Sequence, residues 1–200
     1  AGNANVGKSA IYNQLTGLEQ AIGNYPGTTV EVAEGYLEHH GRQIKVVDLP
    51  GTYSLSSRSA DEIVARGFVL AGKADVVIDV VDATALERSL FLTLQLLETG
   101  VPMVIALNLV DLAQNNGIAV DPDRLAAALH VPVLPTVAVH GTGVHALVDA
   151  ALAVAGTGPD RRPDIRFAPE VEERVQQLSS LVSAAGLAYP SRWMAVKLLE

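Results

Sequence analysis

Residues 2–9, Gly2-Asn3-Ala4-Asn5-Val6-Gly7-Lys8-Ser9, spell a complete G-x-x-x-x-G-K-S phosphate loop. That spacing restricts the chain to folds that set a strand, a tight glycine turn and a helix in succession. Glycines let the backbone curl until successive N–H groups face one point, and the following helix N-terminus completes an anion cradle. Lys8 is then expected on the β/γ-phosphates of a nucleotide and the Ser9 hydroxyl on Mg²⁺. Gly2, Asn3, Ala4, Asn5, Val6, Gly7 and Ala10 complete the expected phosphate contacts. The alternative is a glycine-rich strand–helix turn with an exposed lysine, so the loop needs companions.

The remaining pattern supplies the scaffold for them. A helix from the loop to about Thr16, strands over Val30 to His39 and Gln43 to Leu49, and a capping box of Ser59 with Glu62 opening a helix follow in order. Leu18 to Thr28, polar with Gly and Pro, reads as a mobile connector, and Pro50 to Arg58 as loop. Buried strands over Val76 to Val81, Val101 to Leu107 and Val131 to Val137 alternate with helices at Leu86 to Glu98, after Asp121-Pro122, and at Val144 to Val154. This alternation predicts an α/β P-loop NTPase fold of Ras-like type: a mostly parallel sheet, helices on both faces, one antiparallel hairpin strand, and ligand loops at strand carboxyl ends. Residues 1–155 read as that domain, 156–168 as a linker, and 169–200 as the start of a truncated helical subdomain. Only Ala1 remains of the strand expected before the loop, and the last stretch has no stop signal, so both ends read as cut.

Each ligand loop holds a suitable residue. Asp48, leaving a strand beside the phosphate loop, can hold a Mg²⁺-bound water, and Gly51 three residues on can offer its N–H to a γ-phosphate. Thr28 and Thr29 lie in the connector, and Thr29 is expected to complete the Mg²⁺ shell. Asn108 is expected to tie its loop to the phosphate loop. Asp111 can accept N1–H and the exocyclic amine of guanine, whereas adenine would leave that carboxylate unpaired, a discrimination on the order of 10⁴. Thr136, Val137 and Ala138 follow the last strand, and the Ala138 N–H is expected on guanine O6. Together these motifs point to GTP and GDP.

Composition removes other classes. A net charge of −8 without a basic face argues against nucleic acid. The absence of cysteine excludes disulfides, iron–sulfur ligation and a thiol nucleophile. Leu125 to Val148 carries no charged side chain other than histidine, but Pro132, Pro135, Gly141 and Gly143 break it, so it does not read as a membrane span.

Four runs go beyond the generic motifs: Gly2-Asn3-x-Asn5; Ile22-Gly23-Asn24-Tyr25-Pro26-Gly27-Thr28-Thr29-Val30-Glu31; Asp48 through Leu55; and Val80-Val81-Asp82-Ala83-Thr84-x-Leu86-Glu87-Arg88. They resemble the amino-terminal G domain of the bacterial ferrous-iron transporter B family, and Arg192-Trp193-x-Ala195-Val196-Lys197-Leu198-Leu199-Glu200 resembles that family's following helical subdomain. The resemblance implies a GTPase module on the cytoplasmic face of the inner membrane, joined to a polytopic membrane domain that moves Fe²⁺, with room for a homo-oligomer. A free-standing K⁺-dependent GTPase of ribosome or tRNA maturation is the second reading.

The chain departs from the usual pattern at Ala4 (Pro), Tyr25 (Trp), Leu109 (Lys in most GTPases), where stacking on the base falls to the Leu side chain, and Val137 (Ser). Thr52 stands where many G proteins carry the water-orienting Gln. Catalysis then needs another source of charge compensation. The resemblance suggests K⁺ held by Asn5, the phosphates and the carbonyls of Gly23 and Tyr25; Asn5, Lys8, Thr29 and Gly51 form the expected catalytic set.

Among the histidines, His39-His40 read as a solvated hairpin tip, since adjacent strand residues point to opposite faces. His140 and His145 read as surface residues that could meet, with no carboxylate beside them. Asp79, in an apolar strand, is expected to find a polar neighbour near the sheet's end.

Overall fold

The computed structural model describes residues 1–17, 21–25, 28–56, 59–155, 166–187 and 189–200. Most of the expected linker, and Pro26-Gly27 of the connector, lie outside them. The elements are α1 (Lys8–Thr16), β1 (Ala21–Asn24), β2 (Glu31–His39), β3 (Arg42–Asp48), α2 (Ala60–Leu70), β4 (Val77–Asp82), α3 (Leu86–Thr99), β5 (Met103–Asn108), α4 (Val110–Asn115), α5 (Pro122–Leu129), β6 (Val133–Pro135), α6 (Val144–Ala155), α7 (Pro169–Ala184) and α8 (Ser191–Leu199).

The strands form two three-stranded sheets, an antiparallel β1-β2-β3 and a parallel β4-β5-β6. Between them lies only Ala1–Gly2, bridged to Val80 of β4, with Thr52 N–H donating to the Gly2 carbonyl at 3.2 Å. A groove of about 1010 Å³ runs beside this segment, lined by Val46 and Val47 of β3 and Ile78 and Val80 of β4.

The parallel half is dry. Every residue of β5 is buried, with Met103, Ile105 and Leu107 facing Leu92 and Leu96 of α3, and Val104 and Ala106 facing Leu147 and Ala151 of α6. Burial on both faces is what a continuous apolar strand flanked by helices requires. Asp79 is the exception within β4. Its carboxylate accepts from the Thr93 hydroxyl of α3 at 2.6 Å, so the polar neighbour exists, but on a helix at mid-strand rather than at the sheet's end. Burial pushes the Asp79 carboxyl up, and the Thr93 hydrogen bond opposes it.

Helix starts follow the chemistry read from the sequence. Ser59 and Glu62 cap α2 reciprocally, and the Asp121 carboxylate accepts from the N–H groups of Asp123 and Arg124 with Pro122 in the first turn of α5. Two elements were not legible. β1 falls within the connector read as loop; it is an edge strand held by main-chain pairing from Ala21 opposite Glu34 to Asn24 opposite Glu31, without an apolar stripe. The short α4, directly after Asn108, lacks the length that makes a helical period visible.

α7 and α8 pack on each other through Val175, Ala195 and Val196. Arg192 grips Glu172 with both guanidinium nitrogens and holds its carboxyl below the usual range. Among the described residues no helix is long and apolar enough to cross a membrane.

Candidate functional site

The phosphate loop curls because three of its residues adopt backbone conformations with positive φ: Gly2 at 144°, Asn5 at 66° and Gly7 at 88°. Asparagine is among the few non-glycine types that tolerate this region. A Cβ on Gly7 would stand 2.2 Å from Asn108 Nδ2, so no other residue fits there. Val6 is buried and anchors the loop, while Ala4, Asn5 and Ser9 are exposed and Asn3 is buried. Lys8 and Ala10 begin α1, whose first N–H groups are left open toward the loop.

Asn108 is the hub of the second layer. At 1% exposure its carboxamide makes three hydrogen bonds to protein: Nδ2 donates to the Val6 carbonyl at 2.8 Å, and Oδ1 accepts from Ala138 N–H at 3.0 Å and the Thr136 hydroxyl at 3.2 Å. One side chain therefore ties the phosphate loop to the loops after β5 and β6, as read from the sequence. Ala138 departs from expectation, because its N–H, expected on a guanine oxygen, is used by Asn108. Val137 is buried and exchanges hydrogen bonds with Thr142. Leu109 sits at φ 62°, an uncommon conformation for its side chain, and turns the chain so that Asp111 is exposed in the first turn of α4.

The γ-phosphate side is arranged differently. Lys8 Nζ pairs with Asp48 Oδ1 at 2.5 Å at the end of β3, so the residues expected on phosphate and on Mg²⁺ hold each other. Gly51 lies against Ala4, where a Cβ would come within 3.2 Å of the Ala4 Cα. Thr52 is 4% exposed and tucked onto the loop.

The chain matches the family of ferrous iron transport protein B over residues 1–151. It belongs to that family. The first of the two expected contexts is therefore the one supported. Among curated relatives it is 40% identical to the Fe(2+) transporter FeoB of Shigella flexneri over 204 residues and to that of Salmonella typhimurium over 206, each match covering 100% of this chain. The chain spans 26% of the length of those transporters. It also superposes on the cytosolic domain of the T. maritima FeoB iron transporter in its GMPPNP form, with TM-score 0.91 and 35% identity over 98% of this chain and 78% of that one. A mutant S. thermophilus NFeoB bound to GDP gives TM-score 0.90 and 38% identity over 98% of this chain and 76% of that one.

The connector residues expected on the metals are engaged in local pairing, and Gly23 and Tyr25 line the same groove as Lys8 and Asp48. Gly23 lies in β1 opposite Val32, and the Tyr25 carbonyl accepts both the N–H and the hydroxyl of Thr28 at 3.0 Å. Both lone pairs of the expected K⁺ ligand Tyr25 are thus occupied within its own turn. Thr29 is exposed just before β2.

The histidines overturn their reading. His39 and His40 do not diverge: His40 adopts φ 49°, which breaks strand alternation, and both rings reach the Asp149 carboxylate of α6. His145, one turn before Asp149, joins them, and His140 does not. The missing carboxylate was four residues beyond His145, in the helical i,i+4 spacing that could have revealed it.

Proposed function

We propose that this domain binds guanine nucleotide and hydrolyses GTP with Mg²⁺, as a regulatory module of a membrane Fe²⁺ transporter. The observation that carries the proposal is the Asn108 hub joined to a phosphate loop whose Gly7 admits no side chain, with Asp111 exposed beside it. Relatives bound to GDP and GMPPNP share this architecture. On binding, Lys8 exchanges the Asp48 carboxylate for phosphate oxygens, and Asp48 is released toward the metal. Ser9, Thr29 and Asp48 offer the hard oxygens that Mg²⁺ takes, and the ion would neutralise charge between the phosphates. For Thr29 to contribute, the turn at Tyr25 and Thr28 opens. Asp111 accepts the guanine N1–H and amine, and Leu109 covers the base. Ala138 reaches the base oxygen only by sharing or leaving its bond to Asn108.

Thr52 is buried, and its short side chain lacks the reach of the water-orienting glutamine amide of many G proteins. The exposed Asn5 carboxamide is the candidate for holding K⁺ beside the phosphates, where it would balance charge developing on them. Gly23 and Tyr25 would join only once β1 leaves β2. The resulting intrinsic rate is slow. Binding is tested by titrating wild type and Lys8→Ala with a fluorescent GTP and with ATP as competitor. Tight GTP binding lost in the variant, with ATP unable to compete, is expected; equal competition by ATP would refute the guanine assignment. The 156–168 linker and 169–200 helical subdomain are proposed as the junction toward the membrane part.

A further inference from the structure

The β2–β3 hairpin tip meets helix α6 through four side chains that the proposed nucleotide chemistry does not use. His39 Nε2 lies 2.6 Å from Asp149 Oδ1, His40 Nε2 lies 3.1 Å from the same oxygen, and His145 Nδ1 lies 3.3 Å from Asp149 Oδ2. The His39 ring centroid stands 4.2 Å from that of His40 and 4.5 Å from that of His145. One nitrogen from each ring falls within 4.8 Å of the other two.

We propose that His39, His40, His145 and Asp149 form a binding site for a divalent first-row transition ion, with Zn²⁺ as the ion to test. Three imidazoles and one carboxylate are the donor set of a tetrahedral N₃O site, whereas Mg²⁺ and Ca²⁺ take oxygen. Bonds of about 2.0–2.1 Å to zinc place tetrahedral ligand atoms about 3.3 Å apart, so the nitrogens must close inward by roughly 1.5 Å. Rotation of the exposed side chains accomplishes this, since His40 is 67% and His145 73% exposed while His39, at 7%, stays fixed. The chain has no cysteine to offer a softer competing site.

Two local features bring the donors together. The left-handed turn at His40 folds its ring onto the His39 side, and the i,i+4 spacing places His145 and Asp149 on one face of α6. Without the ion the Asp149 carboxylate accepts the imidazole N–H groups, an arrangement that keeps the ligands gathered. Its carboxyl is held below the usual range, first by His39 and then by His40. A bound ion replaces those protons and pins the antiparallel sheet to α6.

The test is a Co²⁺ titration of tag-free protein in excess Mg²⁺, read by the visible bands of tetrahedral Co²⁺ and followed by displacement with Zn²⁺. One equivalent of tetrahedral Co²⁺, displaced by one of Zn²⁺, is expected. Loss of the exposed ligand in His145→Ala or His40→Ala should weaken binding about 100-fold, and His130→Ala and His140→Ala should leave it unchanged. A wild type with no tetrahedral band, or with a Zn²⁺ affinity that His145→Ala does not alter, overturns the proposal. Circular dichroism of His145→Ala confirms that the fold is kept, and GTP binding by each variant separates this site from the nucleotide site.

Discussion

The two sheets of this domain are held together in different ways. The parallel β4-β5-β6 half buries β5 completely and locks its ligand loops through Asn108, a side chain with three hydrogen bonds to protein. The antiparallel half has an edge strand β1 held by backbone pairing, and ligand groups engaged with stand-ins: Lys8 with Asp48, and the Tyr25 carbonyl with Thr28. A base must be read by groups that do not move, because discrimination depends on what a wrong base leaves unpaired. Sensing a γ-phosphate requires groups that exchange partners at small cost. Under the proposed function, the difference in burial divides a fixed reader from a movable sensor.

The largest test of the fixed reader is Asp111→Asn. An amide presents a donor to the guanine amine, so GTP affinity should fall on the order of 10³- to 10⁴-fold, while xanthosine triphosphate, with a carbonyl at that position, should gain. Competition binding with the two nucleotides checks it. An unchanged GTP affinity would move base reading away from α4.

Asn108→Ala comes next. It strands the Val6 carbonyl and the Ala138 N–H in a dry site and should lower unfolding free energy by about 2–4 kcal/mol in urea denaturation. A loss below about 0.5 kcal/mol would mean that the parallel half is not locked by this hub.

Leu109→Gly sharpens the contrast with the smallest effect. Relief of the left-handed leucine should raise stability by about 1 kcal/mol, while removing the side chain proposed to cover the base weakens nucleotide binding. Thermal denaturation with and without GDP separates the two. A variant that loses stability would show that Leu109 is held by packing rather than strained.

The fixed half was also the legible half. Apolar runs over β4 and β5, the caps at Ser59 and Asp121, and the G-x-x-x-x-G-K-S loop each state a local physical requirement that the fold then meets. The companions Asp48, Asn108 and Asp111 could be read because each stands at or shortly after the end of a strand. β1 could not be read, because edge pairing is a property of two backbones and leaves no pattern in one. Nor could the occupation of the Ala138 N–H and the Tyr25 carbonyl, since partner choice within a loop depends on distances that sequence spacing does not carry. The histidine cluster was missed for a specific reason. Strand alternation does not hold through His40, where the chain turns left-handed.

The movable half is proposed to work with a monovalent cation rather than a glutamine. GTP turnover measured in KCl and in NaCl at equal ionic strength, for wild type and Asn5→Ala, tests it most directly. Wild type should be faster in KCl, and Asn5→Ala should be slow in both salts while still binding GTP. Equal wild-type rates in the two salts would contradict the account.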